Sequence, residues 1–201
     1  LHPQNPFSSP EFLTWPGFNQ ATRVADRAEA KRLMAEAGHA KGFQLTYNCN
    51  RTYLDRCQFY QAQLAGLSID FKFDILDPAA WANAALGLDY DMFQGAGFLS
   101  PVPEAQESAL TRYSISKGAQ LKHEDPKIPE FFQRLNAATS FDQRVKLWRE
   151  LERYMVLEQV YLIPLSGQIY VNPYRTHVKG MPVPPEGQMS FLDFATVWMD
   201  K

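Results

Sequence analysis

Length, composition and charge restrict what this chain can be. It has 201 residues, a hydrophobic share of 45% and a formal net charge of −2. This is enough apolar material for a sizeable domain, and the charge excludes the electrostatic footprint of a nucleic-acid binder. No apolar run approaches the roughly 20 residues that span a bilayer.

The first 25 residues are rich in proline and aromatic side chains and follow neither a helical nor a strand period. They predict an extended connector whose aromatic side chains pack on a partner surface. The chain opens on LHPQNPFSSP, without the basic segment and apolar run of a signal peptide. A mature secreted protein and an internal fragment would both begin in this way.

Residues 26–48 predict a helix, a stop and a strand. Asp26 and Glu29 have the spacing of a capping box, and Gly38 supplies the left-handed residue that ends a helix. Apolar residues fall at helical spacing before Gly38, and residues 43–48 alternate between apolar and polar.

A second helix–strand unit follows. Thr52 and Asp55 have the spacing of another capping box. Residues 69–75 then alternate between apolar and polar, as in a strand. Lys72 is expected to mark an edge strand, where its charge discourages pairing with another chain.

A third unit repeats the order. Asp77 is expected to cap a helix that has Pro78 in its first turn, and Gly87 is expected to close it. Residues 91–98 predict the next strand. Three helix–strand units in succession argue for an α/β layer with crossover helices.

Residues 99–124 predict an irregular surface segment of the kind that often binds ligands. Two helices follow, the second opened by a capping box at Ser140 with Gln143. Residues 160–165 predict a short apolar strand that is buried on both faces. The five helices are predicted near 26–37, 53–65, 78–86, 126–138 and 141–158.

Five stretches resemble one protein family in the same order. They are EAKRLMAEAGHAKGFQLTY, YQAQLAGLSIDFKF, DYDMFQGAGF, DQRVKLWRELERYMVLEQVYLIPL and the closing VWMDK. They are similar to the C-terminal lobe of solute-binding proteins of the oligopeptide, dipeptide and nickel class of ABC importers, known as family 5.

The resemblance implies an α/β fold: a periplasmic-binding-protein-like lobe with a mixed, mostly parallel sheet flanked by helices. It implies a connector at 1–25, a C-terminal solute-binding lobe at 26–167 and a return segment at 168–201 toward an N-terminal lobe. The expected location is periplasmic or extracytoplasmic, in a full-length protein that is secreted or lipid-anchored.

The resemblance also implies the function and the partners. The whole protein is expected to capture a small solute between two lobes and deliver it to ABC permease subunits in the membrane. The solute is expected to be peptide-like, opine-like or sugar-like, and nucleic acid is not an expected partner. An α/β enzyme domain with catalytic residues in the unmatched loops, and a sensor domain that uses the same lobe, are the alternatives.

Asn48, Asn50 and Arg51 lie at the carboxyl end of the first predicted strand, and ligands gather at that edge in open α/β sheets. Arg51 can offer its guanidinium group to a carboxylate, and Phe98 stands where the family has a tryptophan beside the cleft. A solvated loop arginine and a core aromatic are the alternative interpretations of these two residues. The candidate ligand residues are Asn48, Asn50, Arg51, Gln94, Gly97 and Phe98.

Motifs for chemistry are otherwise missing from the sequence. It has no G-x-S-x-G, H-E-x-x-H or phosphate-binding loop, and its histidines are scattered. We therefore expect no catalytic residues, no metal and no cofactor. Cys49 and Cys57 are either a disulfide, in the oxidising compartment that the resemblance implies, or two buried small hydrophobes.

One departure from the family bears on the solute. Peptide-binding relatives read GW..D..DP after the YDM strand, and the acid there can pair with a peptide's α-ammonium group. Here Pro101 stands at the first acid and Val102-Pro103 stands at the second. Neither residue type can make a charge-assisted hydrogen bond, and Glu104 or Glu107 could replace the missing acids only if the loop folds back. We therefore expect that the protein does not bind a free peptide amino terminus in the way that is usual for the family.

Overall fold

The computed structural model describes residues 7–93, 124–164, 173–181 and 194–200. The chain divides into two compact units. The described residues of the first, called the sheet unit, are 13–93 and 124. The described residues of the second, called the helix-pair unit, are 7–12, 125–164, 173–181 and 194–200. The predicted lobe boundaries at 26 and 167 stay a prediction.

Three parallel strands form the sheet of the sheet unit. β1 (Phe43–Asn50) lies between β2 (Ile69–Leu76) and β3 (Met92–Phe93). Pairing runs along the full length of β1 and β2. Because parallel neighbours need crossover connections, the helices between them complete the predicted α/β layer. Residues 94–98 of the predicted third strand lie outside the described residues.

Three helices alternate with these strands: α1 (Arg23–Glu36), α2 (Leu54–Leu64) and α3 (Pro78–Gly87). α2 packs on β1 and β2. The core between them consists of Tyr47, Cys49, Cys57 and Phe71, all nearly inaccessible to solvent. Partly buried residues surround it, namely Leu45, Leu54, Tyr60, Leu64, Ile69, Phe73 and Met92.

The two cysteines form a disulfide between β1 and α2. Their Cα atoms lie 6.3 Å apart, and both side chains are fully buried. Of the two interpretations that the sequence left open, the disulfide is therefore the one that the structure shows.

The opposite face of the sheet is covered by α3. Asn48 and Phe93 are register partners, and strand alternation places them on the face opposite Tyr47 and Cys49. Trp81 of α3 stacks on Phe93 with ring centroids 4.7 Å apart. The two faces thus differ, since one is an apolar core and the other carries a polar strand residue.

α3 begins as predicted and ends differently. The Asp77 carboxylate accepts hydrogen bonds from two first-turn N–H groups, each at 2.9 Å, and Pro78 is the first helical residue. Leu88, rather than Gly87, takes the left-handed conformation at the end, with φ +56°. Backbone N–H bonds from Leu88 and Asp89 to the last turn hold this non-glycine residue in place.

α1 begins at Arg23, so the predicted capping box at Asp26 is wrong. Asp26 lies within the first turn, and its Oδ2 accepts from the Gly17 N–H at 2.8 Å and the Thr22 hydroxyl at 2.9 Å. The carboxylate therefore accepts hydrogen bonds from the segment before the helix and does not cap the N–H groups of the first helical turn.

The rest of α1 is exposed. Glu29, predicted to complete the box, pairs with Arg32 at 2.6 Å. No residue of α1 is fully buried, and Leu33 on its apolar face is 50% exposed. Gly38 has φ +84°, which confirms it as the left-handed stop.

α2 begins at Leu54, after a 3-10 turn at Arg51–Tyr53, so the predicted cap at Thr52 is wrong. The Asn50 side chain accepts the Thr52 N–H at 3.0 Å. The turn starts directly after β1, and the last strand residue therefore takes the capping role.

Three aromatic side chains near the start of the chain are buried: Phe7 and Phe12 in the helix-pair unit and Trp15 in the sheet unit. Phe7 meets Phe141 edge-on, with ring centroids 5.4 Å apart. For these three residues, the partner surface that the sequence predicts belongs to the chain itself.

The helix-pair unit is built on α4 (Lys127–Ala137) and α5 (Phe141–Arg153), and α5 continues as a π-helical turn at Tyr154–Glu158. Ser140 caps α5 as predicted, accepting the Gln143 N–H at 3.3 Å. The buried residues of these elements fall at helical spacing and are Ile128, Phe132, Leu135, Trp148, Leu151, Glu152, Tyr154 and Met155.

Residues 160–164 have no regular secondary structure, so the predicted strand there is wrong. Val160 and Ile163 are 58% and 56% exposed, which also contradicts burial on both faces. The N–H groups of Tyr161 and Leu162 bond back to the Met155 carbonyl. They close the end of the π-helical turn and are therefore unavailable to a sheet.

Two short strands, β4 (Val178–Lys179) and β5 (Trp198–Met199), pair antiparallel in the helix-pair unit. β5 lies within the closing VWMDK stretch of the sequence. The described strands are thus parallel in one unit and antiparallel in the other, which agrees with the predicted mixed, mostly parallel arrangement.

Candidate functional site

The carboxyl end of β1 brings together three of the predicted ligand residues: Asn48, Asn50 and Arg51. All three strands of this sheet are parallel, so their carboxyl ends meet at one edge. Asn48 lies beside Asp74 of β2 and Phe93 of β3 in the register. The other predicted residues, Gln94, Gly97 and Phe98, lie outside the described residues.

Asn48 is buried, with 2% of its surface exposed. Its Nδ2 donates to the backbone carbonyl of Asp89 at 2.9 Å. Its Oδ1 has no hydrogen-bond partner among the described residues. A buried carboxamide oxygen without a donor is uncommon in native proteins, so Asn48 keeps an unused acceptor at the edge of the sheet.

Asn50 and Arg51 have different surroundings. The Asn50 oxygen already accepts the Thr52 N–H, so its main role in this structure is to begin the turn after β1. Arg51 lies in that turn and is exposed, which leaves its guanidinium group in solvent at the edge of the sheet. Arg51 is therefore a cation that this edge can present to an anionic ligand.

Trp81 belongs to this site and was not among the predicted ligand residues. Its indole Nε1 is buried and has no hydrogen-bond partner among the described residues. The Trp81 ring stacks on Phe93, and the ring centroid of Tyr90 lies 5.3 Å from that of Phe93. The sequence marked Trp81 as lying on the buried side of α3, but no sequence signal distinguishes a satisfied indole from an unsatisfied one.

Tyr47 is an ionisable residue of β1, on the face of the sheet opposite Asn48. Burial, followed by the nearby Tyr60, raises the pKa of Tyr47 to about 12, so its hydroxyl stays neutral at physiological pH. No group of three or more metal-ligating side chains occurs in the described ranges of the chain. The described edge can therefore form hydrogen bonds and stack on aromatic rings, and Arg51 adds one positive charge.

The helix-pair unit holds its buried carboxylate in a different way. Asp125 accepts from the Tyr154 hydroxyl at 2.6 Å, the Tyr161 hydroxyl at 3.0 Å and the Lys127 N–H at 2.9 Å. Burial acts to raise the pKa of Asp125, but these hydrogen bonds outweigh it and hold the pKa below its ordinary value. The bond to Asp125, with burial, raises the pKa of Tyr154 to about 12. The cluster thus connects the start of α4 to Tyr154 and Tyr161 through hydrogen bonds.

A shallow groove of about 360 Å³ lies along α4 and α5. Its floor includes Phe131 and Tyr154. Its charged side chains are balanced in sign and are Lys127, Glu130, Arg134, Glu150, Arg153 and Glu158. A groove with no net charge and with ion pairs such as Arg134–Glu150 at 3.0 Å offers no clear preference for a charged ligand.

Solved structures of periplasmic binding proteins share this fold. One is the ABC transporter-associated periplasmic binding protein DppA from Helicobacter pylori in complex with peptide STSA. The TM-score is 0.68 at 19% identity, over 87% of this chain and 34% of that chain. The chain thus spans about a third of the length of this protein.

Two further structures are similar. A mannohexaose-bound periplasmic oligopeptide-binding protein from Thermotoga maritima has a TM-score of 0.60 at 16% identity, over 77% of this chain and 32% of that chain. The binding protein AgaA from A. tumefaciens R10, in complex with agropinic acid, has a TM-score of 0.54 at 22% identity, over 72% of this chain and 31% of that chain.

The family follows from the sequence comparison. Residues 2–119, more than half of the chain, match the family described as bacterial extracellular solute-binding proteins, family 5 Middle. The chain belongs to this family of solute-binding proteins. No curated protein sequence matches it. No helix in the described ranges is long and apolar enough to cross a membrane.

Proposed function

We propose that the chain supplies one lobe of the solute-binding component of an ABC importer. The lobe comprises residues 26–167, after a connector at 1–25, and residues 168–201 return toward an N-terminal lobe. The single observation that carries this proposal is the polar edge of the parallel sheet in a family 5 chain. Asn48 and Trp81 keep unused hydrogen-bonding atoms there, and Arg51 adds an exposed cation.

The proposed mechanism is capture by closure. The edge of this sheet forms one wall of a cleft, and a second lobe closes over a small solute. No step of chemical conversion is involved, and the loaded protein delivers its solute to permease subunits in the membrane. The protein acts in the periplasm or on the extracytoplasmic side, where the Cys49–Cys57 disulfide is stable.

The proposed solutes are peptide-like, opine-like or sugar-like. The three similar structures hold a peptide, mannohexaose and agropinic acid, so one fold accommodates all three classes. The sequence at 101–103, which lies outside the described residues, lacks the acids that pair with a peptide's amino terminus. A solute with a carboxylate that reaches Arg51 therefore fits this chain better than one held by its ammonium group.

A thermal-shift screen tests this proposal on a two-lobed protein that contains the chain. The panel is tetrapeptides with free and N-acetylated amino termini, mannohexaose and agropinic acid. We expect at least one class to raise the melting temperature, with acetylated peptides at least as effective as free ones. Arg51→Ala should reduce the thermal shift that solutes with a carboxylate produce. The control Arg23→Ala, in exposed α1, should leave that shift unchanged. Free peptides that act far better than acetylated ones would contradict the proposed solute class.

A further inference from the structure

A disulfide brackets the turn that carries Arg51. Cys49 precedes the last residue of β1, and Cys57 lies near the start of α2. The 3-10 turn at Arg51–Tyr53, called the Arg51 turn, lies between them. Both cysteine side chains are fully buried in the core between β1 and α2. The bond therefore ties this core to the turn at the carboxyl edge of the sheet.

The Arg51 side chain is not held by a partner side chain. Arg56, the other arginine between the two cysteines, lies over the Tyr53 ring at 4.6 Å from its centroid. Arg51 is exposed, and the described part of the chain gives its guanidinium group no hydrogen bond, ion pair or ring contact. The position of this charge is therefore set by the backbone of the Arg51 turn.

The backbone of the Arg51 turn has one anchor on the strand side. Asn50 pairs with Leu76 of β2 and accepts the Thr52 N–H at 3.0 Å. Arg51 and Thr52 are exposed and Tyr53 is half-buried, so packing contributes little to holding the turn. The disulfide adds a covalent anchor, because it fixes the helix after the turn to the strand before it.

We propose that the Cys49–Cys57 disulfide positions Arg51 for the solute. The bond holds the Arg51 turn in the conformation in which the guanidinium group receives an anionic group of the solute. A turn that is rigid before binding loses less conformational entropy when the ligand arrives, and this saving increases the affinity. The two cysteines do not touch the solute and act through Arg51. This inference rests on the proposed function, which places Arg51 at the ligand-binding edge.

The bond is a permanent support and not a redox switch. Reduction requires a thiolate to attack one of the two sulfur atoms. Both cysteine side chains are inaccessible to solvent, so an external thiol reaches neither sulfur in the folded protein. Substitution of the cysteines therefore tests the proposal, and a reductant added to the folded protein does not.

The first test measures the turn itself and needs no ligand. Nitrogen-15 relaxation of the 201-residue chain gives an order parameter for each backbone N–H group. For residues 51–53 we expect values near about 0.85 in the wild type and below about 0.6 in Cys49→Ala with Cys57→Ala. If that variant does not fold, Cys49→Val with Cys57→Ala replaces it, because valine restores apolar volume in the core. Unchanged order parameters would overturn the proposal.

Loss of the disulfide also lowers the stability of the sheet unit, so the test needs a matched control. Phe71→Leu removes a buried ring from the same core and is expected to lower the stability to a similar degree. Phe71 is the register partner of Leu45, away from the carboxyl edge of the sheet. The order parameters of 51–53 should therefore not change in this variant. A loss of order equal to that in the disulfide variant would overturn the proposal.

The second test asks whether the disulfide acts through Arg51. Isothermal titration calorimetry is carried out on a two-lobed protein that contains the chain, with an N-acetylated tetrapeptide and with the same peptide as its C-terminal amide. Loss of the disulfide should weaken binding of the acid form about three- to tenfold and leave binding of the amide form unchanged. In the Arg51→Ala background, loss of the disulfide should weaken neither form.

A purely structural disulfide predicts different results. Equal weakening of the acid and amide forms, or weakening of the acid form that persists in Arg51→Ala, would overturn the proposal. If a two-lobed protein binds neither peptide, the proposed peptide-like solute fails. The order parameters of the 201-residue chain then still decide whether the disulfide positions the turn, so this inference and the proposed function fail separately.

Discussion

The two units satisfy their buried polar groups in different ways. In the helix-pair unit, the Asp125 carboxylate accepts three hydrogen bonds. In the sheet unit, Asn48 Oδ1, Trp81 Nε1 and the Tyr47 hydroxyl have no partner among the described residues. Ser8 Oγ in the helix-pair unit also has no partner among the described residues, so the comparison is between the Asp125 carboxylate and the two atoms of Asn48 and Trp81. The Asp125 carboxylate is used to hold the fold together, whereas the atoms of Asn48 and Trp81 keep unused hydrogen-bonding capacity.

The largest expected effect comes from breaking the Asp125 cluster. Asp125→Ala leaves two tyrosine hydroxyls and the Lys127 N–H without their acceptor, so we expect a loss of about 3 kcal/mol in the free energy of unfolding. Urea unfolding followed by circular dichroism measures it. Asp142→Ala, at an exposed position in the first turn of α5, is the control and should cost less than about 1 kcal/mol. Equal effects of the two variants would show that the cluster does not fasten the unit.

The disulfide gives the next largest effect, and it lies in the sheet unit. Cys49 and Cys57 are eight residues apart, and the chain-entropy model gives about 2.5 kcal/mol for closing so short a loop. Cys49→Ala with Cys57→Ala should lower the free energy of unfolding by that amount, as measured in urea. A comparable loss when the wild-type protein is reduced with dithiothreitol under unfolding conditions would attribute it to the bond. No loss in either experiment would contradict this account.

Acid should weaken the helix pair through Asp125. Its folded pKa lies below its ordinary value, so the unfolded chain takes up a proton first as the pH falls. The stability that the Asp125 cluster contributes is therefore complete well above about pH 4, the ordinary pKa of aspartate. It is lost as the pH falls through the folded pKa. Urea midpoints at pH 7 and pH 3 should differ more for the wild type than for Asp125→Asn, and equal differences would contradict the assignment.

The smallest effect sharpens the comparison most directly. Tyr47→Phe removes a buried hydroxyl without a partner, so the free energy of unfolding should change by less than about 1 kcal/mol or should rise. Tyr154→Phe removes a hydroxyl that donates to Asp125 at 2.6 Å, and it should lower the melting temperature clearly. Differential scanning calorimetry of the pair checks this. A larger loss in Tyr47→Phe than in Tyr154→Phe would reverse the comparison.

Local sequence signals predicted the elements of both units because those signals act within one turn of the chain. Asp77 and Pro78 begin α3 as expected, and the alternation of 43–48 and 69–75 matches β1 and β2. The predicted cap at Asp26 failed because its carboxylate bonds to Gly17, nine residues earlier. Such a contact depends on the fold of the preceding turn.

Tertiary contacts explain the remaining differences. The apolar run at 160–165 has the composition of a strand, but a pair of its N–H groups bonds back to Met155. The edge position of Asn48 followed from the strand pattern. The unpaired Asn48 Oδ1 and the stacking of Trp81 on Phe93 depend on how α3 packs on the sheet. No pattern in the sequence specifies that packing. Asn50 caps a turn with its side chain, and its role as a ligand residue stays a prediction.

Isothermal titration calorimetry tests the central claim, that the chain supplies one wall of a solute site, most directly. It compares the 201-residue chain with a two-lobed protein that contains it, using the solute that gives the largest thermal shift. Because closure buries a ligand between two walls, the account predicts tight binding by the two-lobed protein and no sub-micromolar affinity for the chain alone. Sub-micromolar binding by the chain alone would contradict the account.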